Sequence, residues 1–152
     1  MQLRNYVEKF ENLASYLQTP LLFVLRFYWG FSFARTGWGK LMNLDRTVNF
    51  FTDLGIPAPK LNAIMAGSTE CFGGALLLVG LFSRVVSVPL AGTMVVAYLT
   101  ADRDALMAIF SDTDKFVSAA PFQFLLTAVI VLAFGPGKLS LDHLLAKRKT
   151  AN

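Results

Sequence analysis

The stretch LNAIMAGSTECFGGALLLVGLF, residues 61–82, decides the fold class of this chain. Glu70 is its one charged side chain, and the rest is dominated by leucine, alanine, glycine and other small or apolar residues. About 20 mostly apolar residues suffice for a helix to cross the hydrocarbon core of a bilayer. The stretch therefore predicts a membrane-spanning helix. Ser83-Arg84 follows directly, which predicts a very short turn into an antiparallel neighbour.

The composition of the whole chain supports the same environment. Hydrophobic residues make up 55% of the 152 positions, and charged residues only 16%. A soluble domain carries about a quarter charged residues. The length suits one domain, so we predict a single four-span membrane domain over residues 1–152.

Three further apolar stretches complete an all-α, integral membrane four-helix bundle. They cover residues 21–38, which begin after Pro20, residues 85–101, and residues 121–134, which end at Gly135-Pro136-Gly137. Residues 2–19 and the segment after Ser140 have apolar residues at helical spacing, which predicts amphipathic N- and C-terminal helices at the membrane surface. Ser140 is predicted to cap the second of these helices. For residues 2–19 a partly ordered tail is the alternative. Within the loop of residues 39–60, residues 48–54 predict a short interfacial helix.

The distribution of lysine and arginine predicts the orientation, because these residues are enriched in cytoplasmic loops. Four spans place both termini and the Ser83-Arg84 turn on one side. That side holds Arg4, Lys9, Arg84, Lys138, Lys147, Arg148 and Lys149. The other side holds Lys40, Arg46, Lys60, Arg103 and Lys115, among several aspartates. Both termini are therefore predicted to be cytoplasmic.

Three ionisable residues fall inside the predicted spans: Arg26, Arg35 and Glu70. A charge at the bilayer centre costs at least about 2.5–3.5 kcal/mol, so such residues usually face the bundle and have partners. Counting about 1.5 Å per residue from the span ends leaves an axial gap of about 7 Å between Arg26 and Glu70, which an arginine side chain can reach across. Arg35 lies on the opposite face of its helix from Arg26. We therefore predict an Arg26–Glu70 pair, with Arg35 extended toward the outer headgroups.

This pair has two interpretations. Arg26 and Glu70 either handle a proton or bind a ligand in a buried polar pocket, or they form a fixed ion pair that sets helix register. Polar residues elsewhere in the spans are candidates to line the same pocket. They are Tyr28, Ser68, Thr69, Thr93, Tyr98, Gln123 and Thr127.

Residue counts exclude several chemistries. Cys71 is the one cysteine and His143 the one histidine, so neither a dithiol exchanger nor a bis-histidine haem site fits within one chain. No metal site is predicted, and the scattered basic residues do not suggest nucleic-acid binding. We expect no intrinsic cofactor, and no catalysis by this chain alone.

Several short motifs, taken in order, have a familiar spacing. They are Gly37-Trp38-Gly39-Lys40-Leu41, Leu54-Gly55-Ile56-Pro57, Glu70-Cys71-Phe72-Gly73-Gly74, Gly80-Leu81-Phe82-Ser83-Arg84 and Phe134-Gly135-Pro136-Gly137-Lys138-Leu139-Ser140-Leu141-Asp142. With an arginine early in the first span, this pattern resembles the DoxX family of small bacterial membrane proteins. The resemblance runs from about Leu21 to Asp142.

The resemblance implies a four-helix protein of the bacterial inner membrane. It also suggests an accessory subunit of a quinone-linked or thiol-stress redox system, with a redox enzyme as partner. The motif positions carried over are Arg26, Lys40, Glu70, Gly73, Gly74, Arg84 and Asp142. The Asp102-Arg103-Asp104 run stands where some relatives have histidines, which argues against a metal or proton relay there.

Two other functions stay open from the sequence. The first is a non-enzymatic scaffold or assembly factor that uses its glycine-rich helix faces for a partner or a homo-oligomer. The second is a small transporter. A ligand-sized cavity at Glu70 would favour a bound amphiphile such as a quinone, whereas close packing around Glu70 would favour the scaffold.

Overall fold

A computed structural model describes residues 2–150, and every regular element in that range is helical, as predicted. The helices are α1 (Gln2–Met42), α2 (Leu44–Asp53), α3 (Pro59–Val79), α4 (Ser83–Leu99), α5 (Arg103–Met107), α6 (Thr113–Ser118), α7 (Ala120–Phe134) and α8 (Leu141–Thr150). Residues 1, 151 and 152 of the predicted domain, and the Lys149 side chain, lie outside the described part.

The prediction that Pro20 separates a surface helix from the first span is wrong. The helix α1 is continuous for 41 residues and contains Pro20 in its interior. A proline removes the N–H that would bond the carbonyl four residues earlier, which here belongs to Tyr16. Both residues are exposed, so the affected carbonyl lies outside the packed interior. The helix therefore tolerates the missing bond without ending.

Four long helices pack side by side: α1 contacts α3, α3 contacts α4, α4 contacts α7, and α7 returns to α1. The core between them includes Phe33, Leu77, Leu90 and Val131, all fully buried. The backbones of α1 and α3 approach especially closely. A Cβ built on Gly30 would lie 2.7 Å from the backbone nitrogen of Leu78, so this contact requires glycine.

The outer surfaces of these helices are strongly apolar. Phe27, Phe31, Phe72, Val85 and Val88 are each more than half exposed. Contiguous exposed apolar surface on this scale marks a membrane or protein contact. Within the described residues, α3 is the one helix both long and apolar enough to cross a bilayer by itself, while α4 and α7 are apolar but shorter. That all four helices cross a bilayer remains a prediction.

The connections between the long helices contain more helix than predicted. The short helix expected from residue 48 begins already at Leu44, and two short helices, α5 and α6, form between α4 and α7. The tight turn after α3 is present. Gly80 ends α3 in the left-handed conformation with φ +75°, and α4 begins at Ser83. The predicted cap of the last helix is confirmed, because the Ser140 hydroxyl accepts the N–H of His143 at 3.2 Å.

Candidate functional site: a cavity at Glu70

A cavity of about 350 Å³ lies between α2, α3 and α4 and is bordered by Lys40 of α1. Its polar lining residues are Lys40, Asn62, Thr69, Glu70, Thr93 and Thr100. Its apolar walls include Phe50, Phe51, Leu54, Ile56, Met65 and Val96. This volume lies within the range of small-molecule pockets in proteins, which also combine apolar walls with a few polar groups.

Glu70 is held at this cavity by Lys40. The Lys40 Nζ and Glu70 Oε1 atoms lie 2.5 Å apart. Glu70 is 2% exposed, whereas 32% of the Lys40 side chain remains accessible. The Thr36 hydroxyl lies 3.3 Å from the second carboxylate oxygen. A buried carboxylate needs such partners, because an unpaired charge away from water is very costly.

The register of α1 against α3 explains this pairing. Gly37 packs against the backbone of Cys71, and Gly30 packs against Leu78, so the two helices run antiparallel. Glu70 is therefore level with about residue 38, and Lys40, half a turn further along α1, reaches it easily. The glycines bring the two backbones close enough for a lysine to meet a carboxylate across the helix pair.

The cavity exists because two neighbouring elements leave space there. Gly92 of α4 faces the cavity, and a Cβ at this position would meet no atom within 4 Å. On the other side, α2 presents Phe50 and Phe51 as a wall. The position of α2 is fixed by Thr47, whose hydroxyl donates to the carbonyl of Lys40 at 3.1 Å.

The cavity opens sideways through the outer surface of the protein. Met65, Gly92 and Val96 line it, and all three are exposed. They belong to α3 and α4, whose outer faces are apolar. A lipid-soluble molecule would therefore meet the opening from the apolar side.

The predicted Arg26–Glu70 pair is wrong. Arg26 lies about 12 residues, or roughly 18 Å, along α1 from the level of Glu70. Its guanidinium instead donates to the carbonyls of Leu77 at 3.1 Å, Leu78 at 2.7 Å and Leu139 at 2.5 Å. Two of these carbonyls belong to the last turn of α3, where carbonyl groups have no N–H partner within the helix. Arg26 therefore caps the end of α3.

Asp142 completes the same polar cluster at the start of α4. Its two carboxylate oxygens accept the backbone N–H groups of Phe82 at 2.8 Å and Ser83 at 3.0 Å. Backbone N–H groups at a helix start lack intrahelical partners and favour a negative charge. The last segment of the chain thereby fastens the turn between α3 and α4.

The remaining predicted site residues lie apart from the cavity. Arg35 is exposed, as the facing argument predicted, and so is Tyr28. The Tyr98 hydroxyl donates to the Phe116 carbonyl at 2.9 Å, outside the cavity lining. Gly73 packs against Leu90. Of the polar candidates, only Thr69 and Thr93 join Glu70 in the lining.

The glycine faces assigned to partner association in the scaffold hypothesis are used inside the protein. Gly30, Gly37, Gly67 and Gly74 are all buried, and each lies at the α1–α3 contact. These faces are therefore closed to a second chain in the folded protein.

Sequence reasoning placed Lys40 among the motif positions but missed it as the partner of Glu70. The signal was present: Lys40 is 14 residues from Arg26, so at about 100° per residue it lies within about 40° of Arg26 on the helix. The same facing argument that selected Arg26 therefore also selects Lys40. The register of the two helices decides between them.

A family model of known proteins matches more than half of this chain. The DoxX family model matches residues 21–103, which include Lys40, Glu70, the α3 glycines and Arg84. The chain belongs to the DoxX family. The resemblance seen in its sequence motifs is thus confirmed, and the protein is a membrane protein. No solved structure matches it.

Three relatives of this DoxX protein carry informative names. The "Uncharacterized membrane protein Rv3486" of Mycobacterium tuberculosis is 34% identical, with 87% of this chain and 85% of the relative aligned. "Inner membrane protein YphA" of Escherichia coli is 35% identical over 70% of this chain and 77% of its own. "Putative oxidoreductase CatD" of Bacillus subtilis is 30% identical over 83% and 87%.

Proposed function

We propose that this DoxX protein is a multi-pass protein of the bacterial inner membrane whose Glu70 cavity binds an amphiphile of the quinone class. In this proposal α1, α3, α4 and α7 cross the bilayer and both termini are cytoplasmic. The observation that carries the proposal is the cavity itself, in which the buried Glu70 carboxylate and its partly accessible partner Lys40 border mostly apolar walls.

The apolar outer surface and the family support the membrane topology. Exposed phenylalanines and valines cover α1, α3 and α4, where a soluble protein would place charged residues. The relative YphA is named an inner membrane protein. Lysine and arginine are more numerous on the side that holds the termini and the α3–α4 turn, which favours a cytoplasmic position.

The lining of the cavity suits a quinone. A quinone ring has two carbonyl oxygens that accept hydrogen bonds, and the Lys40 ammonium and the threonine hydroxyls of the lining are donors. The aromatic side chains of Phe50 and Phe51 suit the flat ring. The sideways opening past Met65 and Val96 allows an apolar tail to extend into the bilayer.

Our proposal makes the chain an accessory subunit, with a redox enzyme as partner. Converting a quinone to its quinol takes two electrons and two protons. With one cysteine and one histidine, the chain depends on the partner for the electrons. In this proposal the Lys40 ammonium gives a proton to a quinone oxygen, with Glu70 as its counter-ion. Lys40, which is partly accessible, regains a proton from water, and a second transfer supplies the second proton. The name of CatD is consistent with this role.

Filling the cavity tests ligand binding directly. Gly92 lines the cavity and nothing lies within 4 Å of a Cβ there, so a leucine in Gly92→Leu has room to enter the cavity and narrow its opening. Gly39→Leu is the matched control, since Gly39 is also helical with open space around its Cβ but lies outside the lining. Purified protein in mild detergent is titrated with a short-chain benzoquinone and a short-chain naphthoquinone, and co-purified molecules are identified by mass spectrometry.

We expect the wild type and Gly39→Leu to bind one of the probes, and Gly92→Leu to lose at least about tenfold in affinity. Glu70→Gln should weaken binding while the chain stays folded, because the amide keeps the shape of the carboxyl group. Equal binding by Gly92→Leu and wild type would exclude the cavity as the ligand site. If neither probe binds the wild type, the quinone class is wrong.

A further inference from the structure

A second cavity lies at the other end of the helices, and the proposed function does not use it. Its volume is about 450 Å³, and it is bordered by the Gln18–Leu22 region of α1, the start of α4 and the segment that joins α7 to α8. The Glu70 cavity instead reaches Asn62 near the start of α3 and Thr100 after α4. The two cavities are therefore separate sites.

Cationic side chains surround this second cavity, which we call the basic cavity. Arg84 and Lys138 are its two cationic lining residues, and the imidazole of His143 lies beside them. Arg84 is held in place by one bond from its Nη2 to the Ala133 carbonyl at 3.1 Å, so most of its donors stay available. Among the described residues, no acceptor lies within hydrogen-bonding distance of the Lys138 ammonium.

The one acidic group of the basic cavity is already engaged. Both oxygens of Asp142 accept backbone N–H groups at the start of α4. Its charge is thus partly offset by the helix end, and Arg26 lies nearby as a further cation. The local charge of the cavity is therefore positive.

The surroundings of the basic cavity are apolar on the side of the helices. Leu22 and Phe134 line its wall, and exposed leucines of α8 lie next to it along the chain, including Leu141 and Leu144. A ligand that matches this arrangement has an anionic head and an apolar body. Basic pockets at the ends of membrane helices bind the headgroups of anionic phospholipids in this way.

We propose that the basic cavity binds the phosphate of an anionic phospholipid, with Arg84 and Lys138 as its cationic ligands. Phosphatidylglycerol and cardiolipin are the headgroup classes that fit, because they carry a net negative charge that the zwitterionic lipids lack. The exposed Phe134 side chain then contacts the glycerol backbone and the first carbons of the acyl chains.

The test measures lipid binding to delipidated protein in an uncharged detergent by native mass spectrometry. Phosphatidylglycerol and phosphatidylcholine with the same acyl chains are compared as probes. The site variants are Lys138→Gln, which breaks no hydrogen bond of the fold, and Arg84→Gln/Lys138→Gln. The control is Arg103→Gln/Lys115→Gln, which removes the same charge at the other end of the helices.

We expect the affinity for one bound phosphatidylglycerol to fall at least about tenfold in the double site variant. Each cation at a membrane surface contributes a factor on the order of five to that affinity. Lys138→Gln alone should show about half of the effect on a logarithmic scale. The control should bind as the wild type does. Equal losses in control and site variants would mean non-specific attraction and would overturn the proposal.

A further arm separates a lipid headgroup from a free anion. Inorganic phosphate and glycerol phosphate are added at millimolar concentration during the lipid titration. We expect neither to displace phosphatidylglycerol, because neither has an apolar body to contact the exposed Phe134 side chain. Full displacement by inorganic phosphate would identify a soluble anion as the ligand and overturn the lipid assignment. Equal affinity for phosphatidylcholine would do the same.

Discussion

Replacing Arg26 by methionine should strongly destabilise the protein and leave ligand binding at Glu70 intact. Arg26 is 1% exposed and donates to three carbonyls. The Leu77 carbonyl also accepts the N–H of Gly80, so it keeps a partner in the variant. The carbonyls of Leu78 and Leu139 lose the donor that Arg26 provides.

The size of the effect follows from those two carbonyls. A buried polar group left without a partner costs about 1–3 kcal/mol. The two carbonyls are only partly buried, so we take the lower limit for each, about 2 kcal/mol together. Methionine fills much of the volume of the arginine side chain, which keeps the packing cost small. We therefore expect the free energy of unfolding to fall by about 2 kcal/mol.

Unfolding is followed by tryptophan fluorescence as dodecyl maltoside micelles are enriched in sodium dodecyl sulfate. Trp29 reports on the fold, because its ring packs edge-on against Phe124 of α7 at a centroid distance of 4.9 Å. The control is Arg35→Met, which removes an exposed arginine from the same helix. The capping role would be refuted if Arg35→Met lost as much free energy of unfolding as Arg26→Met. It would also be refuted if the free energy of unfolding of Arg26→Met changed by less than about 1 kcal/mol.

Three other predictions follow from the same structure. Gly74→Val should push α1 away from α3 and lower the free energy of unfolding by at least about 1–3 kcal/mol in the same assay. Gly39→Val, the control, should leave it nearly unchanged, because a Cβ at Gly39 meets open space. Asp142→Asn should lower the free energy of unfolding by about 1 kcal/mol, because a neutral amide accepts more weakly from the α4 N–H groups. An unchanged unfolding midpoint would contradict this prediction. In a double-mutant cycle, Lys40→Met and Glu70→Gln should show a coupling energy of about 1–3 kcal/mol, and a value near zero would mean that the ion pair contributes nothing to folding.

The sequence was informative where local rules decide the structure. The apolar run of residues 61–82 predicted α3, Gly80 ends that helix, and Ser140 caps α8 as expected. These features depend on neighbouring residues, through turn chemistry and capping. The prediction that a helix ends before Pro20 was wrong, because a proline breaks a helix only when its missing hydrogen bond or its ring cannot be accommodated.

Long-range register is what the sequence did not reveal. Facing angles placed Arg26 correctly on the inner side of α1, but its depth relative to Glu70 came from assumed span ends. The real register is set by Gly30, Gly37 and their contacts across α3. Counting residues along one helix does not show how that helix is aligned with its neighbour. Carbonyl groups at a helix end were also overlooked as partners, although a buried arginine is satisfied by them as well as by a carboxylate.

The different surroundings of Arg26 and Glu70 separate structure from function in this protein. Arg26 donates to three carbonyls, and two of them lie in the last turn of α3, where the helix supplies no donors. The fold therefore accounts for these three bonds, whereas the buried Nε of Arg26 has no partner among the described residues. Glu70 is different: a buried ion pair rarely stabilises a protein more than apolar residues of the same size would. It also borders an open chamber that Gly92 leaves unfilled, although closer packing would stabilise the helices. The ion pair and the unfilled cavity are both less favourable for stability than apolar packing would be, and their occurrence at one place supports the ligand that we propose.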